Sequence, residues 1–358
     1  MSVDSSLVSE RQISSSQVRP AGKSIPGSNY LLPRFLAFPF FALVGHWFWV
    51  QNYSPLSLWA CAFWIPVLTY CWFCVGGLSH ELVHQNLPVG PRVTRFLGRS
   101  IGVAVGIPYS VYRDIHLRHH AYLNTPLDWE LWPYCDPRAS LRFRRCFVWF
   151  DMLCGTVATP LIWSRICFSS ESPVSNELKR KMRKEYIVIA LIWSSAAAVG
   201  TWLIVSGRHV FRPESLVFAL PLLLSANCNS IRKMMEHLGT RSFDPLHGTR
   251  TVIGSSFVTR LLSYFDFDLA IHGPHHRYPK LDHSLLKSRM AEVQEASPDT
   301  SFPVFHSFTG ALIDTFRTVI TNPAVGINAG CTDDLSHLPG MQNSAPGADG
   351  QHISFTET

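Results

Sequence analysis

The sequence predicts an all-α integral membrane protein. Four transmembrane helices form two hairpins, interfacial or re-entrant helices accompany them, and a cytoplasmic helical cap carries three histidine clusters. Of the 358 residues, 47 % are hydrophobic and only 16 % are charged, whereas about a quarter of a soluble domain is charged. Mean hydropathy is +0.11 although both ends are polar, so the middle of the chain must be strongly apolar.

The first hairpin is predicted between Phe35 and Ser79, a stretch without any Asp, Glu, Lys or Arg. One helical crossing of a bilayer needs about 20 residues, so this stretch holds two. We expect helices over residues 31–51 and 56–78, with the Asn-Tyr-Ser-Pro sequence at 52–55 as the turn between them.

The second hairpin is predicted from two further uncharged runs, Tyr186–Ser206 and Ser215–Ile231, which a short loop joins. A basic run precedes this hairpin, and loops rich in Lys and Arg stay on the cytoplasmic side. Both chain ends and the connection over residues 79–185 are therefore expected to be cytoplasmic. The basic run consists of Lys179, Arg180, Lys181, Arg183 and Lys184.

Two apolar segments of that connection do not suit a full crossing. Ser100–Tyr112 is too short, and Phe147–Ser164 contains Asp151 and Pro160. A single crossing by the second segment would also place the histidine clusters on opposite membrane faces. Both segments are therefore predicted to be interfacial or re-entrant.

The outer parts of the chain differ in composition from the middle. Residues 1–28 and 326–358 are predicted to be disordered tails on either side of a folded membrane domain at 29–325. The net charge of +6 is explained by basic residues beside the spans, so nucleic-acid binding is not expected. The nine cysteines show no zinc or disulfide spacing and are predicted to be reduced.

Three histidine clusters are the main functional signal. The first has the spacing HxxxH, and the other two have the spacing HxxHH. Residues three and four apart share one face of a helix, so each cluster can present its imidazoles in one direction. Neutral imidazole binds Fe, Zn, Cu or Ni, and eight imidazoles are too many for one ion but suit two. The eight residues are His80, His84, His116, His119, His120, His272, His275 and His276.

In the type, order and spacing of these clusters, and in its two hairpins, the sequence resembles the membrane fatty acid desaturases and the related hydroxylases and ketolases. The resemblance covers roughly residues 31–310. It implies a centre of two iron ions held by the eight histidines, O2 as co-substrate, and a lipid or fatty-acyl substrate. It also implies a separate electron donor of the ferredoxin or cytochrome b5 type, since this chain has no haem-binding segment of its own.

Three further residues are candidates for the same site. His237 follows the fourth predicted span, at a position where the family commonly has an additional ligand. Asp128 is expected to accept a hydrogen bond from a ligand histidine, because metal-bound imidazoles usually donate their second N–H to a carboxylate or carbonyl. Asn229 is a weaker candidate for an outer contact. The third cluster contains Gly273 and Pro274, and proline is tolerated in the first helical turn, so this cluster is expected to begin a helix.

The functional hypothesis is desaturation of a fatty-acyl chain, because breaking an unactivated C–H bond requires a redox-active metal and O2 rather than zinc. Hydroxylation or ketolation of a lipid or carotenoid at the same centre is the alternative within the enzyme class. A membrane receptor or hydrolase with zinc is the alternative from another class. No catalytic residue beyond the metal ligands is predicted, and His46, His209, His306, His337 and His352 are interpreted as structural.

Overall fold

The computed structural model describes residues 44–45, 58–207 and 216–333, with the side chains of 58–60 and 216–218 excepted. This part of the chain is mostly helical. Its helices are α1 Leu58–His84, α2 Pro91–Val105, α3 Tyr109–Ala121, α4 Leu141–Leu153, α5 Gly155–Phe168, α6 Asn176–Val205, α7 Leu216–His237, α8 Phe257–Phe265, α9 His272–Arg277, α10 Leu286–Ala296 and α11 Phe308–Thr321. Strands β1 (Thr251–Val252) and β2 (Val304–Phe305) pair in parallel.

Two helices of the described chain are long and apolar enough to cross a membrane, α1 from Cys61 onward and α6. The pair α4 and α5 would make a third if the two helices together form one broken span. The helix predicted over 31–51 lies outside the described residues apart from 44–45. The structure therefore supports a helical membrane protein, and the arrangement of four spans in two hairpins stays a prediction.

The fourth predicted span, Ser215–Ile231, corresponds to helix α7. Its apolar run is interrupted by Asn227, Asn229 and Ser230, and α7 is not among the helices that qualify as spans by length and composition. Helix α7 packs along α1 and also contacts α4 and α5. These polar residues lie against other helices, since Asn229 is next to Gly76 of α1 and Ser230 is next to Gly155 of α5.

The segment predicted to be interfacial or re-entrant at 147–164 contains a sharp bend. Helices α4 and α5 meet at an angle of 119°. The side chain of Asn227 on α7 bridges the bend, since its amide donates to the Leu153 carbonyl at 2.9 Å and its oxygen accepts from the Gly155 N–H at 2.9 Å. Backbone groups that leave a helix inside a membrane protein need such partners. This geometry agrees with a re-entrant segment or a broken span.

The segment predicted to be interfacial at 100–112 is also divided. Helix α2 ends at Gly106, which has a φ of +77°, and α3 begins after Pro108. Val93 and Phe96 on α2 are exposed, while Gly98 on the same helix lies against the Tyr109 ring. One exposed apolar face and one packed face are typical of a helix that lies at a membrane surface.

The folded chain extends beyond the boundary that the sequence placed at 325. A 3₁₀ turn covers Gly326–Ala329. The Asn328 side chain donates to the carbonyls of Tyr134 and Asp136 at 3.1 and 2.9 Å, and the Gly326 N–H donates to Thr240 at 3.0 Å. These hydrogen bonds join residues far apart in the sequence, so composition alone did not reveal them.

The close packing of α5 on α7 depends on a glycine. A Cβ atom at Gly155 would lie 2.5 Å from the carbonyl oxygen of Ala226, whereas a Cβ at Gly200 on α6 would meet nothing within 4 Å. We expect Gly155→Ala to lower the free energy of unfolding by about 1–3 kcal/mol, because the backbones must separate. Gly200→Ala should be neutral or slightly stabilising, because alanine has the higher helix propensity.

The measurement is the thermal unfolding midpoint of both variants and the wild type in the same detergent. A Gly155→Ala midpoint equal to that of Gly200→Ala would show that α5 and α7 are not in this close contact.

Candidate metal centre

The nine predicted histidines come together in two groups. The five-histidine group contains residues from α1, α3 and α9, and its ligand nitrogens all lie within 4.8 Å of one another. The four-histidine group contains residues from α3, α7 and α9 and meets the same limit. The five-histidine group is His80, His84, His116, His120 and His275, and the four-histidine group is His119, His237, His272 and His276.

Helical geometry explains how one cluster supplies both groups. On α3, His116 and His120 are one turn apart and face the five-histidine group, whereas His119 faces the other group. The ring of His120 in the five-histidine group stacks on the ring of His276 in the four-histidine group, with centroids 4.0 Å apart. The two groups are thus neighbours within one buried cluster. The third cluster begins helix α9 at His272, as its proline predicted.

The contacts between imidazole nitrogens are those expected of ligands around a shared ion. Nε2 of His116 lies 3.1 Å from Nε2 of His84 and 3.2 Å from Nε2 of His120. A ring nitrogen carries either one proton or one lone pair, so it cannot make both contacts as hydrogen bonds. Two nitrogens each about 2.1 Å from one metal ion at right angles would be about 3 Å apart.

The four-histidine group shows the same pattern. Nε2 of His272 lies 2.9 Å from Nε2 of His237 and 3.0 Å from Nε2 of His276. Nε2 of His80, in the other group, is buried without any hydrogen-bond partner. Buried polar atoms without partners are costly, and a metal ion would satisfy them. The donor set, made of imidazoles alone, fits two divalent transition-metal ions.

Carboxylates contact three of the imidazole rings at Nδ1, the nitrogen that faces away from the centre of each group. The Nδ1 atom of His119 lies 2.8 Å from Asp128, that of His116 lies 2.9 Å from Glu130, and that of His80 lies 3.2 Å from Glu81. An Nδ1–H that donates to a carboxylate leaves the Nε2 lone pair free for a metal.

The partner predicted at Asp128 is thus in contact with a candidate ligand. Glu130 and Glu81 were recognisable only as acidic residues near the clusters. His272 uses a carbonyl instead, since its Nδ1 lies 3.2 Å from the oxygen of Leu269.

The loop that carries Asp128 is fixed by Asn124. Asn124 adopts a φ of +60°, and its backbone N–H donates to Asp128 at 3.1 Å. Its side-chain amide donates to the carbonyl of Gly248 at 2.7 Å. Asparagine tolerates this left-handed conformation better than most residues. The loop therefore holds its carboxylates at defined positions behind α3.

The protonation of the cluster suits metal binding. Burial lowers the pKa values of His120, His275 and His276, and neighbouring imidazoles lower them further. The neutral form, which is the form that binds metals, is therefore favoured for these three residues. Burial acts to lower the pKa of His119 as well, but the Asp128 carboxylate outweighs it and the pKa is raised. Burial acts to raise the pKa of the Glu130 carboxyl, but the His116 imidazole opposes it and the resulting pKa is about 2. Glu130 thus stays an anionic hydrogen-bond acceptor.

The remaining candidates lie outside the two groups. Asn229 lines the adjacent cavity, but its amide donates to Ser225 at 2.9 Å, and no contact with a ligand histidine is described for it. His247 pairs with Asp244 and His283 with Asp268. Neither of these two histidines belongs to a group that could hold a metal ion.

A cavity of about 190 Å³ adjoins both groups. His80 and His116 of the five-histidine group border it, as do His119, His237 and His272 of the four-histidine group. Its far walls come from α2, α5 and α7 and include Ile101, Val105, Trp163 and Leu222. Trp163 stacks on Tyr112 with centroids 4.7 Å apart and an interplanar angle of 5°. A largely apolar space therefore leads to the edge of the imidazole cluster.

Comparison with known proteins agrees with this geometry. A protein-family model described as fatty acid desaturase matches residues 53–308, which is more than two thirds of the chain. This range includes all nine candidate ligands and the walls of the cavity. A search of curated proteins found no match to the chain. On the family match, the chain belongs to the fatty acid desaturase family.

Proposed function

We propose that this protein is an O2-dependent di-iron oxidoreductase that introduces a double bond into a fatty-acyl or related lipid chain. The observation that carries the proposal is the contact between two groups of buried imidazoles and a largely apolar cavity. Membership of the desaturase family supports the substrate class. Hydroxylation at the same centre would give a different product from the same substrate, and the mass of the product distinguishes hydroxylation from desaturation.

The metal ligands of the proposal are the nine histidines. The five-histidine group would hold one iron ion and the four-histidine group the other. When bound, the pair supplies an oxidant formed with O2 that is strong enough to take hydrogen from an unactivated C–H bond. Asp128 and Glu130 would orient His119 and His116 by accepting a hydrogen bond from each Nδ1–H. This leaves each Nε2 free to bind an ion.

The cavity positions the substrate and excludes water. Ile101, Val105 and Leu222 offer an apolar surface to an acyl chain, and the stacked Tyr112 and Trp163 form a flat wall beside His116. A chain bound there would present one short stretch of carbons to the two ions. Holding reacting groups in a fixed geometry can account for a large part of a rate enhancement.

The remaining parts of the proposal concern the cellular setting. The protein would be a multi-pass membrane protein with both ends on the cytoplasmic side. A separate ferredoxin or cytochrome b5 type donor would supply the electrons. The two candidate spans α1 and α6 support the membrane location.

The reaction is tested with the lipids of a host that expresses either the wild type or His120→Ala. We expect the wild type to form a product two hydrogens lighter than its precursor and the variant to form none, because His120 contacts both His116 and His275 in the five-histidine group. Mass spectrometry with double-bond location is the measurement.

A product heavier by one oxygen would indicate hydroxylation instead. Zinc in place of about two irons per purified wild-type chain would overturn the proposal.

The role of the carboxylates is tested by metal retention. We expect Glu130→Gln and Asp128→Asn each to weaken iron binding about 10- to 100-fold, the usual effect of removing a hydrogen-bond partner of a metal ligand. Glu171→Gln is the control, because Glu171 is exposed and pairs with Arg138 away from the site. Iron per chain after dialysis against a chelator is the measurement, and equal retention in Glu130→Gln and Glu171→Gln would contradict the assignment.

The substrate cavity is tested by narrowing it. Thr159 on α5 lines the cavity, whereas Val157 on the same helix points outward with 59 % of its surface exposed. We expect Thr159→Phe to shift the products toward shorter chains or a different double-bond position, because the ring occupies space that the chain uses. Val157→Phe should leave the product profile unchanged, and identical profiles for both variants would place the acyl chain elsewhere.

A further inference from the structure

A basic depression lies between the start of α6 and helix α2. Its volume is about 520 Å³. Four basic side chains and two acidic ones surround it, so the lining carries a net positive charge. These residues are Arg99, Arg180, Lys181, Lys184, Glu177 and Glu185.

An apolar groove of about 250 Å³ adjoins this depression. Its apolar walls are Val103 and Pro108 on one side and Val188 and Ile189 of α6 on the other. Arg99, Lys184 and Glu185 border both spaces, so the charged depression and the groove are continuous at their shared rim. One binding site can therefore offer positive charge at one end and apolar surface at the other.

The shared rim is held in place by Glu185. Its carboxylate accepts from Nε of Arg99 at 3.3 Å, and from the N–H and hydroxyl of Ser110 at 3.1 and 2.8 Å. These bonds tie α6 to α2 and to the first turn of α3. Further along α6, the Trp193 indole donates to the Val103 carbonyl at 2.8 Å. The two helices are thus fixed together on both sides of the groove.

The basic run in the first turns of α6 is divided between two faces of that helix. Lys179 and Arg183 turn toward the protein, where they donate to the carbonyls of Ser169 and Cys167 at 3.3 and 2.9 Å. Arg180 and Lys184 lie one turn apart and line the depression. A membrane-orientation signal alone requires only that the charges lie on one side of the bilayer. It does not require an apolar groove beside them.

We propose that the depression and the groove together bind one anionic glycerophospholipid of the surrounding bilayer. The phosphate would lie among Arg99, Arg180 and Lys184, and an acyl chain would lie between Val103 and Val188. Basic clusters next to a membrane span attract anionic head groups, and α6 is a candidate span. The inference rests on the membrane setting and does not depend on which reaction the metal centre performs.

The test uses the full-length protein in nanodiscs made of phosphatidylcholine with or without phosphatidylglycerol. Native mass spectrometry counts the lipid retained by the released protein, and the thermal unfolding midpoint follows its binding. We expect the wild type to retain one phosphatidylglycerol and to gain stability as its fraction rises. The double variant R180Q/K184Q should bind this lipid at least about tenfold more weakly.

Two further variants make the test specific. The control R260Q/K287Q removes the same amount of charge from exposed residues outside the depression, and it should bind the lipid as the wild type does. Val188→Trp fills the groove without changing the charge, and it should no longer bind the lipid. Equal lipid loss in R260Q/K287Q and R180Q/K184Q would show that lipid binding depends only on the general surface charge, and it would overturn the proposal. Lipid retention by Val188→Trp, or no preference for phosphatidylglycerol in the wild type, would also overturn the proposal.

Discussion

The convergence of nine histidines into two groups that could each hold a metal ion constrains the rest of the structure. Ligand nitrogens that lie within 4.8 Å of one another in groups of four and five, with several pairs at about 3 Å, cannot all be satisfied by one another. Segments separated by nearly two hundred residues must therefore converge. Helices α1 and α7, which pack side by side, both end in the cluster, and the short helices α3 and α9 complete it. Without bound ions, this arrangement would leave many desolvated polar atoms in contact.

The four helices that carry candidate ligands also contribute to the cavity, together with α2 and α5, and this couples the positions of the histidines to the shape of the cavity. Gly155 allows α5 to approach α7 closely, and Asn227 satisfies the backbone at the bend that begins α5. A change in either contact would move the cavity wall relative to His237 at the end of α7. In the proposed reaction, small displacements of this kind would change which carbon of the substrate lies near the metal centre, because reaction requires close and aligned atoms.

The convergence of the nine candidate histidines could be predicted from the sequence, whereas their division into two groups could not. Spacings of three and four residues place histidines on one helix face by local geometry alone, and all nine predicted residues lie in the cluster. That His119 belongs to a different group from His116 and His120 depends on how α7 and α9 pack. The sequence indicated Asp128 as a hydrogen-bond partner of a ligand histidine. It did not distinguish Glu130 from the other acidic residues nearby, because the contact of Glu130 with His116 depends on the conformation of the loop that Asn124 holds.

Helix α2 lines the cavity on one side and exposes an apolar side chain on another. Its Gly98 and Gly102 permit close contact with residues 107–109, and Ile101 and Val105 wall the cavity beside them. On its other sides, Phe96 is exposed and Arg99 points to the basic rim shared with α6. Tyr109 and residues of α2 border both the cavity and the apolar groove, so a lipid bound in the groove would contact part of the wall of the cavity.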